Sequence, residues 1–145
     1  MRGLEGKRII VAGSASGIRA ATARRLHAEG AKVLLGDINP EGLADGESVG
    51  GLDGIANIAA DVSPATFVGD KNVLETDDSL WQHVLNVNLV GFARLAQQSI
   101  PLLQEAGGGA IVTLTSAAAI LGSPGQVAYG SSKAGIEALT SGALR

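Results

Sequence analysis

The chain has 145 residues, 46% of them hydrophobic, no cysteine, and 11 Lys and Arg against 14 Asp and Glu for a net charge of −3. A single domain of this length buries roughly 70% of its unfolded surface, so it needs no disulfide or metal staple, and cysteine offers neither. Charges of both signs are scattered with no basic stripe, which argues against nucleic acid as a partner.

Other partners are excluded in the same way. The longest mostly apolar stretch, 110–121, is too short and too rich in Ser and Thr to span a bilayer. The start, MRGLEGKRII, lacks the apolar core of a signal peptide. A soluble, cytoplasmic protein that meets no membrane is the expectation. His27 and His83 lie in separate helical patterns, so no metal site is expected.

Arg8–Val11 (RIIV) is a short β-branched run that fits a strand buried on both faces. Gly13–Gly17 (GSASG) is a glycine-punctuated turn. Ile18–Glu29 has helical spacing, with Gly30 placed to stop it. Lys32–Gly36 (KVLLG) is a second buried strand ending at Asp37. Together these form a βαβ unit, which dictates a parallel pair.

Asn39–Ser48 predicts a helix weakened by Gly42 and Gly46. Ile55–Ala60 predicts a third strand, followed by Asp61 and Val62. Thr76–Gln98 predicts one long helix, opened by Asp77 and Asp78 and closed by Pro101 and the glycines 107–109. Ala110–Thr115 predicts the last strand and Gln126–Arg145 the last helix. The whole, 1–145, reads as one dinucleotide-binding domain: α/β, Rossmann-like and doubly wound, with a mainly parallel sheet of four or five strands.

Two constellations carry chemistry. A glycine turn between a strand and a helix lets backbone N–H groups approach a pyrophosphate, although a glycine pair alone is only a tight turn. Asp37, at the end of the next strand, suits ribose hydroxyls and repels a 2′-phosphate, which favours NAD over NADP. The second constellation is Ser116, Tyr129 and Lys133. Tyr129 and Lys133 are one helical turn apart and share a face. A nearby cation favours the ionised phenol, and ionisation near neutrality is what acid–base work demands. On its own the pair is an ordinary surface Tyr and Lys; joined to the βαβ unit it is more specific.

With those residues set out, the sequence resembles the short-chain dehydrogenase/reductase family. LEGKRIIVAGSASGI resembles its opening strand and turn, LLGDIN the acidic end of strand two, and AADV the Asp-Val adenine contact after strand three. LNVNLVG resembles the long-helix motif with its catalytic Asn at Asn88. IVTLTSAAAILGSPGQVAYGSSKAG resembles the catalytic segment, and its Ser-to-Tyr spacing selects Ser116 over Thr115.

The resemblance implies an NAD-dependent oxidoreductase moving hydride between nicotinamide and an alcohol/ketone pair. Tyr129 would be general acid and base, and Lys133 would ease its ionisation and hold the nicotinamide ribose. Ser116 would orient the substrate, and Asn88 would hold a relay water. Gly13, Ser16, Gly17, Ile18, Asp37, Asp61, Val62, Tyr129 and Lys133 would contact the cofactor. A homo-oligomer through the two long helices is also implied.

Three features depart from the family pattern. Arg19 stands where a third glycine is expected. No Asn-Asn-Ala-Gly motif marks a strand four, and residues 62–78 are too few for an average helix of about 11, a strand of about 5 and two connections of about 4. Finally, two further strands, a Pro-Gly contact and a substrate loop are expected beyond Arg145. A catalytically impaired dinucleotide-binding or interaction module is therefore the alternative expectation.

Overall fold

A computed structural model describes residues 3–13, 17–36 and 50–143. The predicted helix 39–48 lies outside them. The chain forms two compact units, Met1–Ala59 with Arg94–Thr113, and Ala60–Ala93 with Leu114–Arg145.

The first unit holds β1 (Arg8–Ala12), α1 (Gly17–Ala28), β2 (Lys32–Gly36), β3 (Gly54–Asn57), most of α4 (Gly91–Glu105) and β4 (Ala110–Thr113). All strand pairs are parallel, in the order β2-β1-β3-β4. The register sets Leu34, Ile10, Ile55 and Ile111 in one row across the sheet. That row packs with Leu52, Leu95, Leu102 and Leu103 as the core, each fully buried aliphatic side chain contributing roughly 1.5–3 kcal/mol. Val11, on the opposite face, is also fully buried, and α1 packs against β1 and β2. On that same face Ala56 and Val112, with Leu4, Ile9 and Leu26, line an apolar cleft of 370 Å³.

Helix α1 ends where glycine is needed. Gly30 has φ +88°, its N–H donates to the His27 carbonyl, and the Ala31 N–H donates to the Leu26 carbonyl. This pair of bonds is the Schellman closure that glycine at C′ permits.

One prediction is corrected by the strand order. The strand predicted as the third, after which a separate strand four was expected and not marked, is itself the strand beside β1. Gly54–Asn57 bonds β1 on one side and β4 on the other. The reason is visible in its composition: a run apolar on both faces fits the middle of a parallel sheet, and Gly54, Ile55 and Asn57 are buried. The strand ends at Asn57, not at Ala60, because β1 ends and only the Ile58 N–H still reaches it, at the Ala12 carbonyl.

The second unit contains α2 (Pro64–Gly69), α3 (Asp78–Leu85), a π-helical turn (Asn86–Val90), the first residues of α4, α5 (Ala117–Leu121) and α6 (Val127–Ala143). Helix α2 follows from a local rule: Ser63 is its N-cap, accepting from the Thr66 N–H, and Pro64 fills the first turn, where its missing donor costs nothing. Among the described residues, Val84, Phe92, Ala128 and Ile136 are the buried apolar core of this second unit.

Two boundaries differ from expectation. The predicted single helix 76–98 is helical from Asp78 but passes through the π turn at Asn86–Val90. Pro101 does not end it, for the helix continues to Glu105 and closes on Gly107 and Gly108, both at positive φ. Proline removes only one donor, and the rest of the ladder carries the helix past it.

Candidate active site

Helix α6 carries the predicted acid–base pair. Its first turn is held from outside by Asp70, which is only 2% exposed. Asp70 accepts from the Ala128 N–H at 3.0 Å and from the Tyr129 N–H at 2.8 Å. A carboxylate there satisfies two of the orphan donors of the helix start and complements its partial positive charge. Tyr129, the third residue of α6, is half-buried in that anchored turn.

Lys133, one turn on, is 1% exposed. Its Nζ donates to the Leu114 carbonyl at 2.8 Å and stands 5.8 Å from the centroid of the Tyr129 ring. The shared face predicted from the spacing is thus present, with the ammonium beside the ring and its orientation fixed by a backbone carbonyl.

The strand predicted over 110–115 stops at Thr113, so Ser116 stands three residues past β4. It is the N-cap of α5, with Oγ accepting from the Ala118 N–H at 3.2 Å. A hydroxyl used as acceptor keeps its own proton to donate. The neighbouring Thr115 hydroxyl instead donates to Glu137 at 2.8 Å, so the two side chains are chemically distinct.

Asn88 lies in the π turn and is 1% exposed. Its Oδ1 accepts from the Asp61 N–H at 2.8 Å and its Nδ2 donates to Ser132 Oγ at 3.1 Å. Ser132 Oγ then donates to the Tyr129 carbonyl at 2.7 Å. The chain of bonds runs Asp61, Asn88, Ser132, Tyr129. A buried amide fixed at both ends is a rigid reference point, and π turns often mark functional positions.

Asp61 and Val62 follow β3, the strand that pairs with both β1 and β4. The Asp61 carboxylate is engaged locally, accepting from the Ser63 N–H at 2.8 Å, the Thr66 hydroxyl, and His83 Nε2 at 2.9 Å. Burial on its own would raise its pKa, but the hydrogen bonds from Thr66 and Ser63, with that of His83, outweigh it and lower the pKa to about 2. Val62 is 57% exposed. Asn57-Ile58-Ala59-Ala60 stands at the end of the strand between β1 and β4, where the family's Asn-Asn-Ala-Gly is expected. Asn57 and Ala59 retain two of its four residues.

The glycine turn belongs to the first unit. Gly13 has φ +124° and Gly17 φ +60°, backbone that favours glycine at both positions. The Gly13 N–H donates to the Gly36 carbonyl at 2.9 Å. Ser16 and Asp37 lie outside the described residues. Ile18, on α1, is 65% exposed. Arg19, also on α1, folds back so that its Nε donates to the Ile58 carbonyl at 3.3 Å.

Asp70 and Ser132 are absent from the sequence-derived set. Ser132 sits inside the Tyr-x-x-x-Lys spacing, one position short of the lysine. Asp70 carries no local signal, for its partners lie 58 and 59 residues away.

A parallel sheet flanked by helices, with a glycine turn after its first strand, defines a Rossmann-like α/β protein. A family model described as enoyl-(acyl carrier protein) reductase matches residues 43–143. The chain is 31% identical to the 3-oxoacyl-(acyl-carrier-protein) reductase FabG of Thermotoga maritima, over 94% of this chain and 66% of that one. It is 34% identical to an uncharacterized NAD-dependent oxidoreductase of Mycobacterium tuberculosis, over 82% of this chain and 44% of that one. The crystal structure of gox2181 superposes with TM-score 0.81 at 20% identity, covering 94% of this chain and 66% of that one, a likeness of fold. The chain belongs to the short-chain dehydrogenase/reductase family, and it spans between 44% and 66% of the length of these curated relatives.

Proposed function

We propose that the chain, as one functional domain, is an NAD-dependent oxidoreductase that moves hydride between a nicotinamide and a small alcohol/ketone pair. The observation that carries this is the fixed pair on α6: Tyr129 beside a buried Lys133 whose Nζ is oriented by the Leu114 carbonyl. Relatives named as a 3-oxoacyl reductase and an NAD-dependent oxidoreductase support the same class of reaction.

Gly13, just past β1, and Gly17, at the start of α1, both hold positive φ, and the first turn of α1 has no acidic residue to repel a phosphate, which supports a dinucleotide. Nicotinamide supplies the hydride acceptor or donor. Gly13, Ser16, Gly17 and Ile18 would cradle the pyrophosphate, and Asp37 would take the adenosine ribose hydroxyls, which favours NAD. Tyr129 gives its phenolic proton to the carbonyl in reduction and removes the alcohol proton in oxidation. Lys133, beside the Tyr129 ring, would aid the proton transfer and would hold the nicotinamide ribose. Ser116 donates to the substrate oxygen. Asn88, pinned by Asp61 and Ser132, holds the relay side of the proton path. The protein works in the cytoplasm, as an oligomer paired through its long helices.

Arg19 over the glycine turn favours a second reading, a catalytically impaired module that binds dinucleotide or protein.

Titrating NAD and NADP into the 145-residue chain, followed by assays on a panel of secondary alcohols, tests the proposal. Expected are saturable binding that prefers NAD, and turnover that Tyr129→Phe lowers by about 10²–10⁴-fold with NAD affinity kept. Binding without turnover, indifferent to Tyr129→Phe, would overturn the enzyme in favour of the module.

A further inference from the structure

In an open α/β sheet the ligand crevice opens where the strand order reverses. Here β1 is followed by β2 on one side and by β3 on the other, so the reversal lies between β1 and β3. Gly13 is the residue just past the end of β1, and Ile58 the residue just past the end of β3.

One side chain crosses that gap. Arg19, the third residue of α1, is half-buried, and its Nε donates to the Ile58 carbonyl at 3.3 Å. On the way it passes over Gly13: a Cβ on that glycine would meet Arg19 Cδ at 2.6 Å and Nε at 3.0 Å. The room that a glycine at this turn leaves for a ligand is therefore filled by the arginine arm.

We propose that Arg19 is a built-in plug of the dinucleotide crevice. The proposal rests on the dinucleotide reading above and names what regulates that site. For a dinucleotide to settle on Gly13, the arm must leave and break its bond to the Ile58 carbonyl, and that cost is subtracted from binding. Dinucleotide affinity is accordingly set by the residue at position 19. A guanidinium also attracts phosphate, so the experiment must separate obstruction from attraction.

Calorimetric titration of NAD into the full chain and into the Arg19→Gly and Arg19→Ala variants makes the test, with thermal melts run alongside. Both variants are expected to bind NAD about fivefold tighter or more, the scale of one displaced hydrogen bond. Alanine is the best helix former, so Arg19→Ala decides the matter if the glycine variant does not fold. Equal affinities in all three proteins overturn the plug and leave the dinucleotide reading standing. Weaker binding by the variants overturns it in favour of a phosphate-binding arginine. No binding by any of them overturns both, because clearing the crevice should expose the site.

Discussion

The carboxylate of Asp70 accepts the backbone N–H of Tyr129 at 2.8 Å, joining the end of α2 to the first turn of the helix that carries the acid–base pair. It takes the Ala128 N–H as well. Asp70→Ala leaves two buried donors without their charged partner, so a loss of about 1.5–3 kcal/mol is expected in urea unfolding. Asp70→Asn keeps one acceptor oxygen and should lose less. Equal stability of Asp70→Ala and the parent chain would show that water replaces the cap.

Ser132 holds Asn88. In Ser132→Ala the buried Asn88 Nδ2 loses its acceptor, and a destabilisation of about 1–3 kcal/mol is expected. Ser132→Thr keeps the hydroxyl and should recover part of it. Denaturant melts of both variants check the order.

Acid should loosen the second unit through Asp61. Its pKa is lowered to about 2, below the usual carboxylate value near 3.9. A depressed carboxylate contributes stability above the unfolded pKa and loses it as pH falls through the folded one. The urea midpoint should therefore drop between roughly pH 4 and pH 2, and Asp61→Asn should flatten that drop. Asp53, held well below the carboxylate range mainly by its hydrogen bond from Arg8, adds to the same loss, so the slope is reduced and not removed.

Ser99 carries the opposite expectation. Its Oγ is buried without a hydrogen-bond partner among the described residues. Ser99→Ala removes that unsatisfied group at little cost in volume, and a gain of about 1 kcal/mol is expected in thermal or urea unfolding. A loss would show that Oγ bonds to a buried water.

Much of the fold was legible because local rules dictated it. Arg8–Ala12 and Lys32–Gly36 are β-branched or aliphatic runs, and Gly30 stops α1 where predicted. The identity of Gly54–Asn57 was not legible. Its composition marks a strand buried on both faces, but which neighbour it takes depends on chain elsewhere, so its place in the sheet emerged only from the pairing with β4. The same limit hid Asp70, whose effect on Tyr129 acts across 59 residues. The spacing of Tyr129 and Lys133 placed them on one face, yet it could not reveal that the lysine amine rests on the Leu114 carbonyl.

The π turn at Asn86–Val90 has a consequence for insertions and deletions. Each of its bonds spans one residue more than an α-helical bond, so the turn stores the equivalent of one surplus residue. Losing any one residue here would let the segment relax into regular α-helix, which local propensity favours. The flanking helices would stay in phase, because the surplus residue is taken up within the turn, but residues inside the turn would change their facing. Asn88, at its centre, would be rotated away from the position that bonds Asp61 and Ser132 together. A stretch that looks like a tolerated irregularity is thus among the least deletable in the chain, because its irregularity keeps one amide in contact with two partners.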